Sequence, residues 1–597
     1  GNHVDACIDT YDTQGVPIAV PPPVNACVSG VELRAKPTSD HTFDYPIGAD
    51  EDPSTASAQN AAVVSMFYLV NWLHDWWYDH GFDEASGNAQ TSNYGRGGIE
   101  GDPLLAQGQD GSGRNNANMA TPADGSSPVM QQYLFNGPVK GAVTITAPAI
   151  GEIPFNGVEY GPQTFDYTGV AVLANDGFDP AGDGCTGLST PAVPVELPLF
   201  GAPPQVPVPV LAPDPKLAGK IAVIDRGGGC PGSYKVRWAL LSGASAVMLV
   251  HNADGPPPFL ANGDVPIDAP VQPTNNVYQL PIVTIRKDDG QRIKDAIAAG
   301  QAVTVHLKRD ASVDFDGTLD NLIIAHEYFH YVHHRLTESS NPQADAMSEG
   351  WGDIDAFMLS ARTDDRAAPG NEHFQGAYAA ASYVTNDFYF GIRRAPYSTD
   401  LRKNPLTFKH ISEGEALPQG EAPVNGDPTG NGNSEVHSAG EIWANAVWEC
   451  YTGLLNDPRH SFEQAQSRMQ DYIIGGLKMT PADATYTEAR DAILAVALAN
   501  DVQDYKACSR GFAKRGMGLN AVSPARASTD LVGVVEDYSE FVCAGGSALP
   551  VPTPVGGGGT VDQGRYGGGA LNLVLILPLL GLALRRRRPR AAQARKG

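Results

Sequence analysis

The segment AHEYFHYVHHRL, residues 325–336, places two histidines four residues apart with a glutamate directly after the first. In an α-helix, residues i and i+4 lie on one face, so His326 and His330 can both present an imidazole nitrogen to one metal ion. Glu327 would then lie beside the ion and take a proton from a water that the ion acidifies. This spacing predicts a zinc centre that directs water onto a peptide carbonyl.

A catalytic zinc ion needs a third protein ligand and an open fourth position. We expect Glu349, in the segment MSEGWGD of the next predicted helix, to be that ligand. Asp353 follows Glu349 by one helical turn and lies on the same face. Ligating histidines usually donate their second N–H to a carboxylate, and Asp353 is the candidate acceptor for His326. Two antiparallel helices joined by a short loop would bring these residues together.

Three other histidines are interpreted as non-ligands. His333 extends the stripe of His326 and His330 by one turn, but one helix would have to bend to direct three imidazoles at a single ion. His333 and His334 are therefore interpreted as supporting or surface residues. His74, in the segment LHDWW, is interpreted as a histidine of the hydrophobic core.

Peptide hydrolysis passes through an oxyanion, which needs a hydrogen-bond donor that faces the metal. The candidate donor is His437 in EVHSAGEIWA, at a predicted junction of loop and helix; a structural role as a helix cap is the alternative. Arg393, Arg394 and Tyr397, in IRRAPYSTD, are candidates to hold a substrate carbonyl or carboxylate. Surface ion pairing is the alternative for these three residues.

The elements around these residues change character along the chain. Residues 1–136 combine short apolar runs and turns with one strong helix pattern over 60–82, which predicts a sheet with a packed helix. Residues 137–310 alternate Val/Ile/Pro-rich strands with short helices, which predicts a compact α/β module. Helical periodicity dominates residues 311–545. The fold class that we expect is α+β.

The C-terminal residues read differently from the rest. Residues 546–569 are rich in glycine and proline and predict a linker, because this composition cannot build a core. Residues 570–597 contain a short apolar run and then an arginine block, which predicts a membrane-associated tail with its arginines in the cytoplasm. A buried core helix is the alternative. The layout resembles the GlyGly-type sorting tag that rhombosortase, a sorting protease, processes.

Composition and charge narrow the class of protein. The chain has 597 residues and a formal net charge of −26, and such an acidic surface repels phosphate backbones, so we expect no nucleic-acid partner. Six of the cysteines fall into sequence-local pairs, which favours disulfides and an exported protein; seven reduced thiols are the alternative. The expected pairs are Cys7–Cys27, Cys185–Cys230 and Cys508–Cys543, which leaves Cys450 free.

Several blocks in chain order resemble the fungalysin metallopeptidases, relatives of thermolysin: FYLVNWLHDWWYDHGF, AQGQDGSGRNNANM, IIAHEYFHYVHHRL, SEGWGD, PYSTD, EVHSAGEIWA and GFAKRGMGLNAV. The resemblance covers 1–136 and 311–545. It implies a thermolysin-like two-lobe fold, with a β-rich N-terminal lobe, an α-helical C-terminal lobe and zinc in the cleft between them. The roles that it implies are zinc ligation by His326, His330 and Glu349, general-base catalysis by Glu327 and oxyanion stabilisation by His437.

The resemblance also implies how substrate and activity are controlled. Asn116 and Ala117, in NNANM, correspond to an edge-strand segment that pairs with the substrate backbone. Family members are made as secreted zymogens. One departure concerns the oxyanion histidine: thermolysin has an orienting aspartate five residues before it, where this chain has Gly432. Asn433 and Glu435 are the candidates to replace that aspartate.

The second departure is an insertion. Residues 137–310 resemble the protease-associated domain through GKIAVIDRGGGCPGSYKVRWALLSGASAVMLVHN and LPIVTIRKDDG. The resemblance implies a role in substrate recruitment, access control or protein contact. A stabilising insert without such a role is equally consistent with the sequence.

Two functions from different classes follow from these patterns. The first is an exported zinc-dependent endopeptidase that acts on protein or peptide substrates. The alternative is a surface-anchored, inactive binding protein that uses the inserted domain, and the presence of Glu327 and all three ligands favours the enzyme. A structural zinc site would favour four closed ligands, often cysteines. The acidic runs GADEDP and RTDDR are candidates for calcium, although such runs are usually solvated surface.

Overall fold

A computed structural model describes most of the chain. The described residues are 1–9, 32–48, 51–158, 160–177, 182, 184, 213–227, 232–252, 257, 258, 260, 278–310, 312–337, 339–420 and 424–541. The predicted linker over 546–569 and the predicted tail over 570–597 lie outside these residues. No helix within them combines the length and the apolar character needed to cross a membrane.

The described residues form both sheets and helices, which confirms the α+β class. The strands are β1 (Val4–Ile8), β2 (Leu104–Gly108), β3 (Ala117–Ala120), β4 (Val129–Gln132), β5 (Leu134–Phe135), β6 (Lys140–Ala147), β7 (Gly151–Ile153), β8 (Phe155–Asn156), β9 (Phe165–Leu173), β10 (Ile221–Asp225), β11 (Ala246–Val250), β12 (Ile282–Ile285), β13 (Val303–Asp310) and β14 (Phe315–Asp316). The helices are α1 (Ala56–Tyr78), α2 (Gly232–Leu241), α3 (Lys287–Ala298), α4 (Asn321–Leu336), α5 (Pro342–Ser360), α6 (Ser382–Thr385), α7 (Val436–Leu455), α8 (Phe462–Met479), α9 (Tyr486–Asn500) and α10 (Val502–Lys514).

The chain divides into two compact units. The first comprises residues 1–335, 355–361 and 377–396, and the second comprises residues 336–354, 362–376 and those from 397 onward. All the strands named above belong to the first unit. In the described residues, the second unit is largely helical, as the periodicity after residue 311 predicts.

A four-stranded sheet in the first unit has the order β1-β2-β4-β3. β1, β2 and β4 are parallel, and β3 runs antiparallel to β4. Helix α1 packs on this sheet and buries Ala62, Met66, Leu69, Val70, Leu73 and Trp77. The helix begins at Ala56, four residues before the predicted start. The side chain of Thr55 caps it by accepting the backbone N–H of Ala58. Among the described strands, β3 lies at the sheet edge, so one side of its backbone is open for pairing.

A second sheet of eight strands is built only from residues 140–310. Its order is β7-β6-β13-β9-β10-β11-β12-β8, and β9 to β12 run parallel. Of these, β10, β11 and β12 are buried and rich in Val and Ile. Helix α2 connects the parallel strands β10 and β11 as a βαβ unit, and α3 connects β12 to the antiparallel strand β13. Separate apolar clusters form around Ile224 and Leu249 and around Val223 and Met248, so the sheet carries a core on each face. Residues 140–310 thus have the α/β structure that their sequence predicts.

Helix α4 is held at both ends by polar contacts inside the first unit. At the start, the carboxylate of Asp320 accepts the backbone N–H of Leu322 at 3.0 Å and that of Val384 at 3.3 Å. At the end, the guanidinium of Arg335 donates to Asp102, to Asp124 and to two backbone oxygens. The Arg335 side chain is only 3% exposed and that of Asp102 is fully buried. These contacts fix α4 against the segment that carries the edge strand.

The second unit contains a disulfide that corrects one prediction. Cys508 of α10 is bonded to Cys450 of α7, so the expected Cys508–Cys543 pair and a free Cys450 are wrong. The two helices pack closely enough that the two Cα atoms lie 3.9 Å apart. A Cβ added to Gly511 would lie 2.8 Å from the backbone nitrogen of Cys450, which shows how near the helix backbones come. Proximity in the fold, and not in the sequence, decides this pairing.

The other expected disulfides are described only in part. Cys7 is disulfide-bonded, as predicted. The cysteines Cys27, Cys185, Cys230 and Cys543 lie outside the described part of the chain.

Replacing Arg335 by methionine should destabilise the first unit by about 3 to 5 kcal/mol, because the buried Asp102 carboxylate would lose its counterion. Unfolding in urea, followed by fluorescence and circular dichroism, measures this change. The matched control is Lys308→Met, which removes an exposed pair with Asp310 in the same unit and should leave the midpoint unchanged. Equal midpoints for all three proteins would show that Arg335 does not anchor α4.

Candidate active site

The candidate site residues of the HEYFH motif, which are His326, Glu327 and His330, lie together on α4. The Nε2 atoms of His326 and His330 are 3.0 Å apart, and the ligand atoms of both histidines and of Glu327 lie within 4.8 Å of one another. Two nitrogens that bind one tetrahedral zinc ion at 2.0–2.1 Å are roughly 3.3 Å apart, so this pair fits such an ion. The predicted convergence of the two imidazoles is therefore present.

Packing explains why this face of α4 is fixed. Phe329, which lies between the two histidines in sequence, packs edge to face against Trp77 of α1 with ring centroids 4.8 Å apart. The hydroxyl of Tyr331 accepts the backbone N–H of Ala89. His333 is buried, and burial, together with His334 and His330, lowers its pKa well below the usual value. A neutral, buried His333 agrees with its interpretation as a supporting residue.

Glu349 and Asp353 lie one turn apart on α5, as predicted. Asn341 starts this helix by accepting the backbone N–H groups of Gln343 and Ala344 at 2.9 and 3.0 Å. The Asp353 carboxylate is buried and accepts the hydroxyl of Tyr397. Its bond to the second nitrogen of His326 stays a prediction.

The position of Tyr397 therefore differs from the one expected of a residue that holds a substrate carbonyl or carboxylate. It is buried, and its hydroxyl is directed to Asp353, so it supports a carboxylate and is not placed to hold a substrate group. Of the other predicted substrate residues, Arg393 is buried and Arg394 is half-buried, both in the first unit. Ala117 begins the edge strand β3 and Asn116 directly precedes it. The edge position agrees with the expectation, while the contact with substrate stays a prediction.

His437 lies in the first turn of α7, between two carboxylates. Its Nδ1 is 2.6 Å from Oε1 of Glu435, and its Nε2 is 3.3 Å from Oε2 of Glu349. Oε2 of Glu435 also accepts the backbone N–H groups of His437 and Ser438, both at 3.0 Å, so Glu435 is the N-cap of α7. Since carboxylate oxygens only accept, Nδ1 of His437 carries the hydrogen in its contact with Glu435.

The residue that orients His437 is thus Glu435. Burial would raise the pKa of Glu435, but the hydrogen bonds and charge of His437 and the helix N–H groups outweigh burial and lower it. Asn433, the other candidate, is buried and donates its amide to the backbone oxygens of Ser412 and Glu415. Asn433 therefore holds the loop, and the doubt raised by Gly432 is resolved in favour of Glu435.

Two glycines allow α5 and α7 to cross close to Glu349. A Cβ added to Gly440 would lie 2.5 Å from the carbonyl oxygen of Ala346 and 2.7 Å from Cβ of Glu349. A Cβ added to Gly350 would lie 2.4 Å from the carbonyl oxygen of Gly440. The absence of both side chains lets the helix backbones touch, and this brings Glu349 next to His437.

Asp355 is a buried carboxylic acid near the site that the sequence motifs do not predict. This carboxyl group is fully buried in the first unit, and its Oδ1 accepts the indole N–H of Trp77 at 3.2 Å. Burial raises its pKa well above the usual value, against the opposing effects of Trp77 and His326. The hydrogen bond of Asp355 with Trp77 thus ties the C-terminal part of α5 to α1. A third carboxylate in SEGWGDID was the only sequence signal.

Comparison with known proteins places these residues in context. Residues 12–521 match the family model described as fungalysin metallopeptidase (M36). The extracellular metalloproteinase mep of Aspergillus terreus is 31% identical over 229 residues, which are 34% of this chain and 31% of that protein. The extracellular metalloproteinase NpIII of Aspergillus oryzae is 43% identical over 99 residues, 17% of this chain and 15% of that protein. Each alignment thus spans less than a third of the relative.

Solved structures show only a weak likeness. A zinc aminopeptidase from Bacillus subtilis matches with a TM-score of 0.21 and 13% identity, over 40% of this chain and 55% of that chain. An aminopeptidase from Aneurinibacillus sp. strain AM-1 matches with a TM-score of 0.20 and 14% identity, over 42% of this chain and 57% of that chain.

Replacing Gly440 by alanine should destabilise the second unit by about 1 to 3 kcal/mol, since the added methyl group would overlap the backbone of α5. The control in the same helix is Gly453→Ala, whose Cβ would meet Cβ of Ala507 at 3.3 Å and which should be neutral or slightly stabilising because alanine favours the helix. Thermal unfolding by calorimetry compares the two. A Gly440 variant as stable as the Gly453 variant would contradict the close crossing.

Proposed function

The chain belongs to the fungalysin metallopeptidases, and on this premise we propose that it is an exported, zinc-dependent endopeptidase that hydrolyses peptide bonds in proteins. The observation that carries the proposal is the convergence of the Nε2 atoms of His326 and His330 next to Glu327. The presence of a base in this motif argues against the alternative of an inactive binding protein.

The proposed ligands of one zinc ion are His326, His330 and Glu349. Two imidazoles and a carboxylate form the donor set of zinc peptidases that leave a fourth position open. Zinc in this position supplies a Lewis acid that polarises the scissile carbonyl and acidifies a water. Asp353, supported by Tyr397, is the proposed acceptor that fixes the tautomer of His326.

The chain's own groups handle the protons. Glu327 takes the proton of the attacking water and delivers it to the leaving amine. His437 donates its Nε2–H to the oxyanion, and the contact of its Nδ1 with Glu435 keeps the ring in that orientation. In the described structure the same Nε2 lies near Glu349, so an oxyanion that forms beside this carboxylate is within reach of the donor.

Substrate binding is proposed at the edge strand β3. An extended peptide that adds to this edge would hydrogen-bond through its backbone to residues from Asn116 and Ala117 onward, which gives affinity with little dependence on side chains. Arg393 and Arg394 are proposed to bind substrate carbonyl or carboxylate groups.

The remaining parts of the chain are assigned as proposals. Residues 137–310 form an inserted protease-associated domain between the two lobes of a thermolysin-like peptidase; the eight-stranded sheet supports a module with its own core. The tail over 570–597 is a sorting tag cut by a sorting protease at the membrane. The extracellular relatives support export of this chain.

A role for calcium has less support. Within RTDDR, Asp365 accepts the backbone N–H of Arg362 in a short helical turn and so has a structural use. Part of GADEDP lies outside the described residues. Calcium binding by either run stays a prediction.

Replacing Glu327 by glutamine should lower kcat on casein and on an internally quenched peptide by about 100- to 10 000-fold, because the amide cannot take the proton from water. A zinc chelator should abolish cleavage by the parent protein, and added Zn²⁺ should restore it. Glu372→Gln, at an exposed loop carboxylate, is the control and should leave the rates unchanged. Undiminished cleavage by a pure, folded Glu327 variant would refute the proposed mechanism.

Replacing Glu435 by glutamine should lower kcat by about 10- to 100-fold with little change in KM, because His437 would lose the charged partner that orients it. Glutamine keeps an oxygen that can cap α7, so circular dichroism should be unchanged. The matched control is Glu413→Gln in the same region, which alters hydrogen bonds to Gly432 and Ser434 but not to His437. Equal kcat values for the two variants would remove Glu435 from the mechanism.

A further inference from the structure

Three side chains of metal-binding type meet where β1 begins and α1 ends. His3 directly precedes β1, and His74 and Asp75 belong to the last turns of α1. One ligand atom from each of the three lies within 4.8 Å of the other two. His74 is buried, His3 is half-buried and the Asp75 side chain is 77% exposed, so the cluster is reached from solvent on the Asp75 side.

The tautomer of His74 is fixed by Asn88. Nε2 of His74 lies 2.9 Å from Oδ1 of Asn88. The amide nitrogen of Asn88 donates to the carbonyl oxygen of Phe82 at 2.8 Å, and this contact orients the amide so that its oxygen faces the histidine. Nε2 therefore carries the hydrogen, and in a neutral ring Nδ1 keeps its lone pair.

That lone pair faces an acceptor. Nδ1 of His74 lies 3.0 Å from Oδ1 of the Asp75 carboxylate. Two acceptors at this distance require a proton or a metal ion at the contact. A second proton on His74 would place a cation against the neighbouring histidine ring. A metal ion satisfies both atoms without charging the ring.

His3 offers the third ligand. Its ring stacks on that of His74 with centroids 3.5 Å apart and planes inclined by 6°. Parallel rings do not direct their lone pairs at one point, and His3 must turn out of the stack to bind an ion that His74 and Asp75 share.

We propose that His3, His74 and Asp75 form a second metal site, for a divalent transition-metal ion of the Zn²⁺ type, separate from the HEYFH motif. Two imidazoles and one carboxylate suit such an ion and leave a position for water. The N–H of His74 that is donated to Asn88 is the outer hydrogen bond that ligating histidines commonly make.

The ion would connect the N-terminal strand to α1. The backbone oxygen of His3 accepts the N–H of Leu104 at 2.9 Å, directly before the paired register of β1 and β2. β2 pairs with β4, and β4 pairs with the edge strand β3. A metal clamp at His3 would therefore stabilise the sheet whose edge is the proposed substrate site.

The test measures zinc binding by equilibrium dialysis and elemental analysis on the full chain. The parent protein should hold two Zn²⁺ ions per chain, while His3→Gln and Asp75→Asn should each hold one and keep the parent's peptidase activity. His41→Gln is the matched control, because His41 and Asp40 form a fully exposed pair nearby in sequence. It should bind as the parent does. A second ion that survives either His3→Gln or Asp75→Asn, or a parent that binds no second ion, would overturn the proposal.

A second series separates this site from the proposed catalytic zinc. In a His330→Gln background, one ion should remain and should raise the thermal midpoint, and adding Asp75→Asn should remove both the ion and the rise. This dependence on Asp75 does not require that the HEYFH motif binds zinc or that the protein is a peptidase. A midpoint that responds equally to Zn²⁺ with and without Asp75 would overturn the clamp.

Discussion

The orientation of α4 about its own axis is the constraint on which the metal-binding face depends. His326 and His330 lie on one helix, so a rotation of α4 about its axis would turn both imidazoles together to another direction. Apolar packing alone tolerates such rotation, but the fork of Arg335 over Asp102 and Asp124 is directional. With Asp320 as the cap at the other end, α4 has one rotation at which all its polar contacts are made. The 3.0 Å separation of the two Nε2 atoms follows from the four-residue spacing within α4, and the anchoring fixes the direction in which the pair faces.

At the start of α7, Glu435 both caps the helix and orients His437, two roles that separate residues can also perform. The N-cap position of a helix has a fixed relation to the residues of the first turn, because its side chain must reach their backbone N–H groups. Glu435 uses Oε2 for this contact, and helix geometry then places Oε1 against Nδ1 of His437. The orientation of the histidine is thus tied to the start of its own helix. A separate aspartate five residues earlier is unnecessary, which accounts for Gly432 at that position.

The sequence predicts those parts of the site that depend on local spacing. His326 and His330, and likewise Glu349 and Asp353, are related by one helical turn, and a helix pattern suffices to place each pair. The predictions that were wrong concern contacts between segments that are distant in the sequence. Cys450 pairs with Cys508 because α7 and α10 touch, and Tyr397 is buried against Asp353 from a loop over forty residues away. The sequence could not decide whether Asn433 or Glu435 orients His437. That depends on the path of a loop, and loop turns leave no periodic pattern in a sequence. His74 was correctly expected to be buried, but its neighbours His3 and Asn88 come from other elements.

His74 and His437 show how similar surroundings lead to different chemistry. Each ring has both nitrogens next to oxygen acceptors. The side chain of His437 is half exposed and lies between two carboxylates, so two negative charges balance a cationic ring and the solvent screens it. His74 is buried against a neutral amide and a second imidazole, and its single carboxylate is mostly in water. A positive charge spread over the His74 ring would lie against His3, whereas an ion outside the ring, on the Asp75 side, would keep contact with solvent. The two carboxylates beside His437 therefore suit a hydrogen-bond donor, and metal ligation is the role that we propose for His74.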